Sequence, residues 1–133
     1  MAGYSGTPLP KKLGIQPGDA VLAINAPKDY AKILGPLPGG AMISARKTGV
    51  PIVHLFVTSE AELARDLPKA RKAMDINGAV WVSWYKKSAK IPTDVTEDTI
   101  RTYAFKGDLV DVKVCAVDEV WSALKLVVRK HLR

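Results

Sequence analysis

Two adjacent lysines, Lys86 and Lys87, follow Trp84 and Tyr85 at the end of an apolar run that opens at Gly78. An ammonium pair can hold a phosphate or a carboxylate as point charges, and an indole beside it adds a flat apolar surface. Other groups with chemistry lie in turns far apart in the chain: Asn25 with Lys28, Ser59, Asp94, and Asp118 beside Glu119, with Trp121 just beyond. Asp94 and Asp118 are the residues placed to act as acid or base.

Each group has a plainer use. Ser59 suits a helix N-cap, Asp94 with Glu97 suits the opening of a helix, and Asp118 suits a tight turn. Lys86 and Lys87 suit a solvated loop. No nucleophile elbow surrounds Ser59, and a triad of Ser59, His54 and Asp118 has no support in spacing. His54 and His131 have no partner at metal-ligand spacing, and one cysteine makes no zinc site. The set read as ligand-binding is therefore Asn25, Lys28, Ser59, Trp84, Lys86, Lys87, Asp94, Asp118 and Trp121. No catalytic, cofactor or metal residue is assigned.

The elements that must position this set follow from hydrophobic period and turn residues. Thr7-Pro8 starts a short helix carrying Leu9 and Leu13, closed by Gly14. Asp19 to Asn25 is a nearly continuous apolar strand, hence buried on both faces. Pro27 to Leu34 is a short helix, Ala41 to Arg46 a weak strand, and Pro51 to Thr58 a strong one. Ser59 and Glu62 form a capping box. Leu63, Leu67, Ala70 and Met74 then share one helical face. Pro68 should break or kink that helix. Asn77-Gly78 reads as the turn into the tryptophan strand. Thr96 caps a helix reaching Phe105, and Asp108 to Val117 and Val120 to Arg129 form a closing hairpin. Trp81 and Trp84, three residues apart, face opposite sides of their strand.

Strands alternating with helices give an α/β domain: a three-layer, Rossmann-like mixed sheet of about six strands, mostly parallel, ending in an antiparallel hairpin. Ligands in such sheets bind at the carboxyl ends of the strands. The ligand-binding set should gather on that edge, with helix N-termini near Pro27, Ser59 and Thr96 adding donors and Trp84 with Trp121 forming a wall.

The order of elements resembles that of class I methyltransferases. Leu13-Gly14-Ile15-Gln16-Pro17-Gly18-Asp19-Ala20-Val21 is similar to the entry of their first strand, Gly78 to Ser83 to their fifth-strand region, and Gly107 to Leu126 to their closing hairpin. Where those enzymes carry a glycine-rich loop, this chain has Asn25-Ala26-Pro27-Lys28-Asp29-Tyr30. Ala26-Pro27 removes the freedom that brings backbone close to a cofactor. Arg46 and Lys47 stand where an acidic residue would end the second strand. The resemblance implies the fold, and these departures argue against a methyl donor site.

Over nearly its whole length the chain also resembles a bacterial family of small proteins defined as a domain of unknown function. Gly3-Tyr4-Ser5-Gly6-Thr7-Pro8-Leu9, Trp84-Tyr85-Lys86-Lys87, Thr93 to Asp98 and Val110 to Asp118 carry that resemblance. Proline usually stands there in place of Tyr85. This resemblance implies a fold and no activity.

Bulk properties narrow the function classes. The 133 residues suffice for one domain with a sizeable core. An apolar share of 47% against 25% charged argues against disorder. No run approaches the ~18 apolar residues of a membrane helix, and the N-terminus lacks the pattern of a secretory signal. Cys115, the single cysteine, reads as an inert strand thiol. A soluble cytoplasmic protein is expected, without a membrane partner. The net charge of +7 favours anionic partners: a small molecule, an acidic protein or, through scattered lysines, nucleic acid. The leading reading is a non-catalytic binding or regulatory domain for an anion. The alternatives are a small enzyme acting on an anionic metabolite and nonspecific nucleic-acid binding.

Overall fold

Runs of valine, leucine, isoleucine and tryptophan line up as six strands of one sheet: β1 (Ala20–Ile24), β2 (Met42–Ile43), β3 (Val50–Phe56), β4 (Met74–Tyr85), β5 (Leu109–Ala116) and β6 (Trp121–Val128). The computed structural model describes residues 6–133, so the Gly3-Tyr4-Ser5 part of the N-terminal motif lies outside the described residues. Strand order is β2-β1-β3-β4-β6-β5. β2, β1, β3 and β4 pair in parallel, and β6 runs antiparallel between β4 and β5. β5 therefore points the same way as β4, and the carboxyl ends of β1, β3, β4 and β5 share one edge. The expected α/β sheet with its closing hairpin is what forms.

Helices cover both faces. α1 (Leu9–Lys12) and α2 (Tyr30–Leu34) lie over one, α3 (Glu60–Ala73) and α4 (Glu97–Lys106) over the other. Because strand side chains alternate, Ile52, Phe56, Trp81 and Trp121 enter the first layer, and Val53, Leu55, Val82 and Trp84 the second. Trp81 is fully buried and its indole N–H donates to the Leu13 carbonyl at 3.0 Å, which fixes α1 to the sheet. Trp81 and Trp84 thus face opposite layers, as their spacing requires. Trp84 and Trp121 also fall in opposite layers, so the wall expected from them together does not form.

Local expectations shift in several places. α1 begins at Leu9 with Pro8 as N-cap, and Gly14, at φ +76°, turns the chain away. α2 begins at Tyr30 rather than Pro27, because the Tyr30 amide bonds the Pro27 carbonyl and closes a turn first. The weak strand shrinks to Met42–Ile43. α3 runs unbroken from Glu60 to Ala73 with Pro68 inside it. Pro68 and Ala64, whose carbonyl loses its helical donor, both lie on the exposed side, where water can replace the missing N–H.

Asn77-Gly78 is no turn ahead of β4 but an irregularity within it. Val50 pairs with Met74 and Ile52 with Ala79, so β4 carries extra residues between those pairings. A Cβ on Gly78 would stand 2.6 Å from the Pro51 carbonyl oxygen and 3.0 Å from that of Val50, so only glycine lets the two backbones come this close.

Candidate functional site

The sheet edge is built from side chains that tie one loop to another. The loop after β1 opens with Asn25 in the left-handed region, φ +58°, which asparagine tolerates better than most residues. Its side-chain amide donates to the Phe56 carbonyl at 3.3 Å and to Asp66 Oδ2 at 2.8 Å. From β1 the chain crosses one way to β2 and then returns to β3 on the other side, so the crevice between β1 and β3 is the topological switch point of the sheet. Asn25 spans it. Asp66, buried on α3, also accepts from Arg65 Nε and Nη2 at 3.0 and 2.7 Å, and Lys69 lies 3.6 Å away. The Arg65 hydrogen bonds, with help from Asn25 and Lys69, hold the Asp66 carboxyl down at about 2. Lys28 is exposed in the same loop.

At the end of β3, Ser59 caps α3 by accepting from the Glu62 amide at 3.1 Å. The Glu62 carboxylate accepts from the Thr58 amide instead, at 2.8 Å, so the capping box closes one residue early. Asp94 reaches the same helix terminus and accepts from the Glu60 amide at 2.8 Å. A carboxylate of the chain itself thus occupies the positive end of α3. The Thr93 hydroxyl donates to the Thr58 carbonyl at 2.8 Å, and Val95 is buried in the core, so the loop from Ile91 to Val95 is fixed to the end of β3.

That fixed loop forms one wall of a cleft of about 680 Å³ at the carboxyl end of β4. Trp84, Lys86 and Lys87 line it from β4 and the following turn, and Thr96, Glu97 and Asp98 from the start of α4. Arg101 engages Asp98 at 2.9 Å, Asp111 at 2.9 Å, and Glu97. The acidic residues of the cleft are therefore compensated from outside it. Among the described residues, Lys86 and Lys87 take part in no ion pair. The Lys86 amide bonds the Val120 carbonyl at 2.9 Å, which ties this turn to the hairpin.

In the hairpin turn, Asp118 Oδ1 accepts from the amides of Val120 and Trp121, both at 2.8 Å, the turn chemistry its position suggested. Trp121 stacks on Tyr85 with centroids 4.5 Å apart and meets Phe56 edge-on at 5.0 Å. The nine sequence-chosen residues thus share an edge but divide among four places. Asn25 and Lys28 sit at the switch point, Trp84, Lys86 and Lys87 in the cleft, and Asp118 and Trp121 at the hairpin. Ser59 and Asp94 meet at the start of α3.

Two polar groupings escaped the sequence reading. Asp66 lies between Leu63 and Leu67, so a carboxylate stood on an apolar helical stripe, a signal that it needed partners. The other is a buried chain from Tyr30 through His54 to Ser83: the Tyr30 hydroxyl is 2.8 Å from His54 Nδ1, and His54 Nε2 is 2.7 Å from Ser83 Oγ. One ring nitrogen donates and the other accepts. Burial lowers His54 to about 3, keeping the ring neutral. His54 in an apolar strand signalled a partner, but only the β3–β4 register could supply Ser83. Cys115 is half-buried on β5, and burial pushes its thiol upward, against reactivity. Among the described residues no group of histidine, cysteine and carboxylate side chains could hold a metal, and no helix is long and apolar enough to cross a membrane.

The strand order and the terminal antiparallel hairpin define a Rossmann-like α/β fold. Among solved structures, the chain is similar to a provisionally assigned type 11 methyltransferase from Sulfolobus solfataricus, with a TM-score of 0.64 and 12% identity, covering 92% of this chain and 90% of that one. A SAM-dependent methyltransferase from Aquifex aeolicus gives 0.62 and 11% identity over 89% and 87%. Aeropyrum pernix fibrillarin with bound S-adenosyl-L-methionine gives 0.56 and 15% over 94% and 70%. No model of a known protein family and no curated protein matches the chain. At these identities the likeness is one of fold.

Proposed function

We propose that this chain is a binding domain without transferase chemistry, which takes a small anion in the cleft at the carboxyl end of β4. The observation that carries this reading is the pair Lys86 and Lys87. Both line the cleft without an ion-pair partner, while Arg101 compensates Glu97 and Asp98 on the facing wall. A phosphate or carboxylate would be held by the two ammonium groups as point charges, and Trp84 would give its less polar part an apolar surface. Asp94 and Asp118 serve by fixing the walls, Asp94 through the start of α3 and Asp118 through the hairpin. Ser59 helps Asp94 do so, and Trp121 braces the hairpin through Tyr85. Asn25 bridges the switch-point crevice, with Lys28 exposed above it, and this favours the β4 cleft as the open part of the edge.

The test is thermal unfolding of the whole chain with inorganic phosphate, pyrophosphate, citrate and S-adenosylhomocysteine in turn. A saturable rise in Tm with one of the first three is expected, absent from the Lys86→Ala, Lys87→Ala double variant. Should no anion in this set move the wild-type Tm, the small-anion reading fails. An acidic protein partner would then be the form left to test.

A second reading, a small methyltransferase-like enzyme acting on an anionic metabolite, draws on the fold shared with the S-adenosylmethionine-binding structures. It expects stabilisation by S-adenosylhomocysteine and loss of turnover on Asp94→Asn or Asp118→Asn. Nonspecific nucleic-acid binding through the net +7 charge would instead weaken steeply with salt for any sequence.

A further inference from the structure

Away from the sheet edge, α3, α4 and the turn after α4 line a groove of about 540 Å³. Its floor is apolar, made by Ala64, Leu67, Pro68, Ala104 and Leu109. The small residues Ala64 and Ala104 are what leave room there. Polar contacts tie α3 both to α4 and to the turn that follows α4. The Tyr103 hydroxyl donates to Glu60 Oε2 at 2.7 Å, and Arg71 Nε contacts both oxygens of Asp108, at 2.9 and 3.0 Å. The groove therefore exists before any ligand arrives, with a volume in the range of small-molecule sites.

Its charge is one-sided. Arg71, Lys72 and Lys106 line it together with one acid, Asp108, which Arg71 already engages. Lys106 rests over the Tyr103 ring at 4.6 Å, which holds its ammonium at the groove wall. Among the described residues Lys72 and Lys106 form no ion pair. An apolar floor under two uncompensated lysines matches a slender apolar molecule with an anionic head. We propose that the α3–α4 groove is a second binding site, taking a medium-chain carboxylate with its tail between Ala64 and Ala104 and its head at Lys72 and Lys106.

The test titrates the full chain with decanoate, decanol and decyltrimethylammonium, each below its micellar concentration, by calorimetry. Decanoate should bind saturably and about tenfold more tightly than decanol, the gain expected of two exposed ion pairs. Decyltrimethylammonium should bind more weakly still. Lys72→Ala with Lys106→Ala should bring decanoate to the level of decanol. Ala64→Trp, at an exposed helix position, should abolish binding of both while circular dichroism stays unchanged. Lys86→Ala with Lys87→Ala should leave decanoate binding as it is, which separates this site from the β4 cleft. Equal affinity for all three probes, binding that survives Ala64→Trp, or no binding at all would overturn the assignment.

Discussion

Acid should weaken this protein through His54 before it reaches the carboxylates. In the folded chain the imidazole lies fully buried between Tyr30 and Ser83 and stacks on Phe56 at 4.3 Å, and burial lowers it from 6.5 to about 3. In the unfolded chain it titrates near 6.5. Between those values the unfolded state binds a proton that the folded state refuses, so stability falls as pH falls. The contribution is fully present above about 6.5 and is lost towards 3. Each pH unit in that window costs about 1.4 kcal/mol. From about pH 7 to about pH 5 the loss should therefore be about 2 kcal/mol. Asp66 and Asp108, held below their usual value of 3.8 by Arg65 and Arg71, add losses only at lower pH. Urea unfolding at the two pH values measures the drop directly, and His54→Gln, whose side chain does not titrate, should abolish most of it. If wild type keeps its midpoint at about pH 5, or the variant shows the same drop, the account of His54 as a buried neutral ring is wrong.

Gly78→Ala should destabilise by about 1–3 kcal/mol, because the new Cβ meets the Pro51 carbonyl oxygen at 2.6 Å. The urea midpoint reads this, and hydrogen exchange should locate the loosening at the β3–β4 pairing. Asp66→Ala, which removes the acceptor shared by Asn25 and Arg65, should cost about 1–3 kcal/mol. Crystallography or NMR should then find the loop at Asn25 detached from α3. Asp94→Ala should free the Glu60 amide and raise proteolytic nicking of the Ile91–Val95 loop without unfolding the chain.

The strands of the core were legible because their residues need no partner to declare them. Val21-Leu22, Leu55 to Val57 and Val80 to Val82 are apolar on both faces, and only a sheet covered on two sides satisfies that. The hairpin followed from Asp118, whose turn chemistry is local. Where the reading slipped, the deciding contact was remote. Pro68 sits quietly because its side of α3 faces outward, and Asn77-Gly78 lies within β4 because Met74 already pairs with Val50. The candidate site divides in the same way. Lys86, Lys87 and Trp84 could be chosen from their place at the end of a strand, but the wall that Asp94 fixes required knowing that Glu60 stood opposite.

By itself the chain determined which segments are strands and helices and that several parallel strands end on a common edge, since hydrophobic period and capping residues act over a few positions. Tertiary structure decided which side chains meet there. Asn25 turned to Asp66, Asp94 to the start of α3, and Trp84 and Trp121 to opposite layers, because pairing across the sheet depends on register and packing between residues 34 to 41 positions apart, which no local pattern encodes.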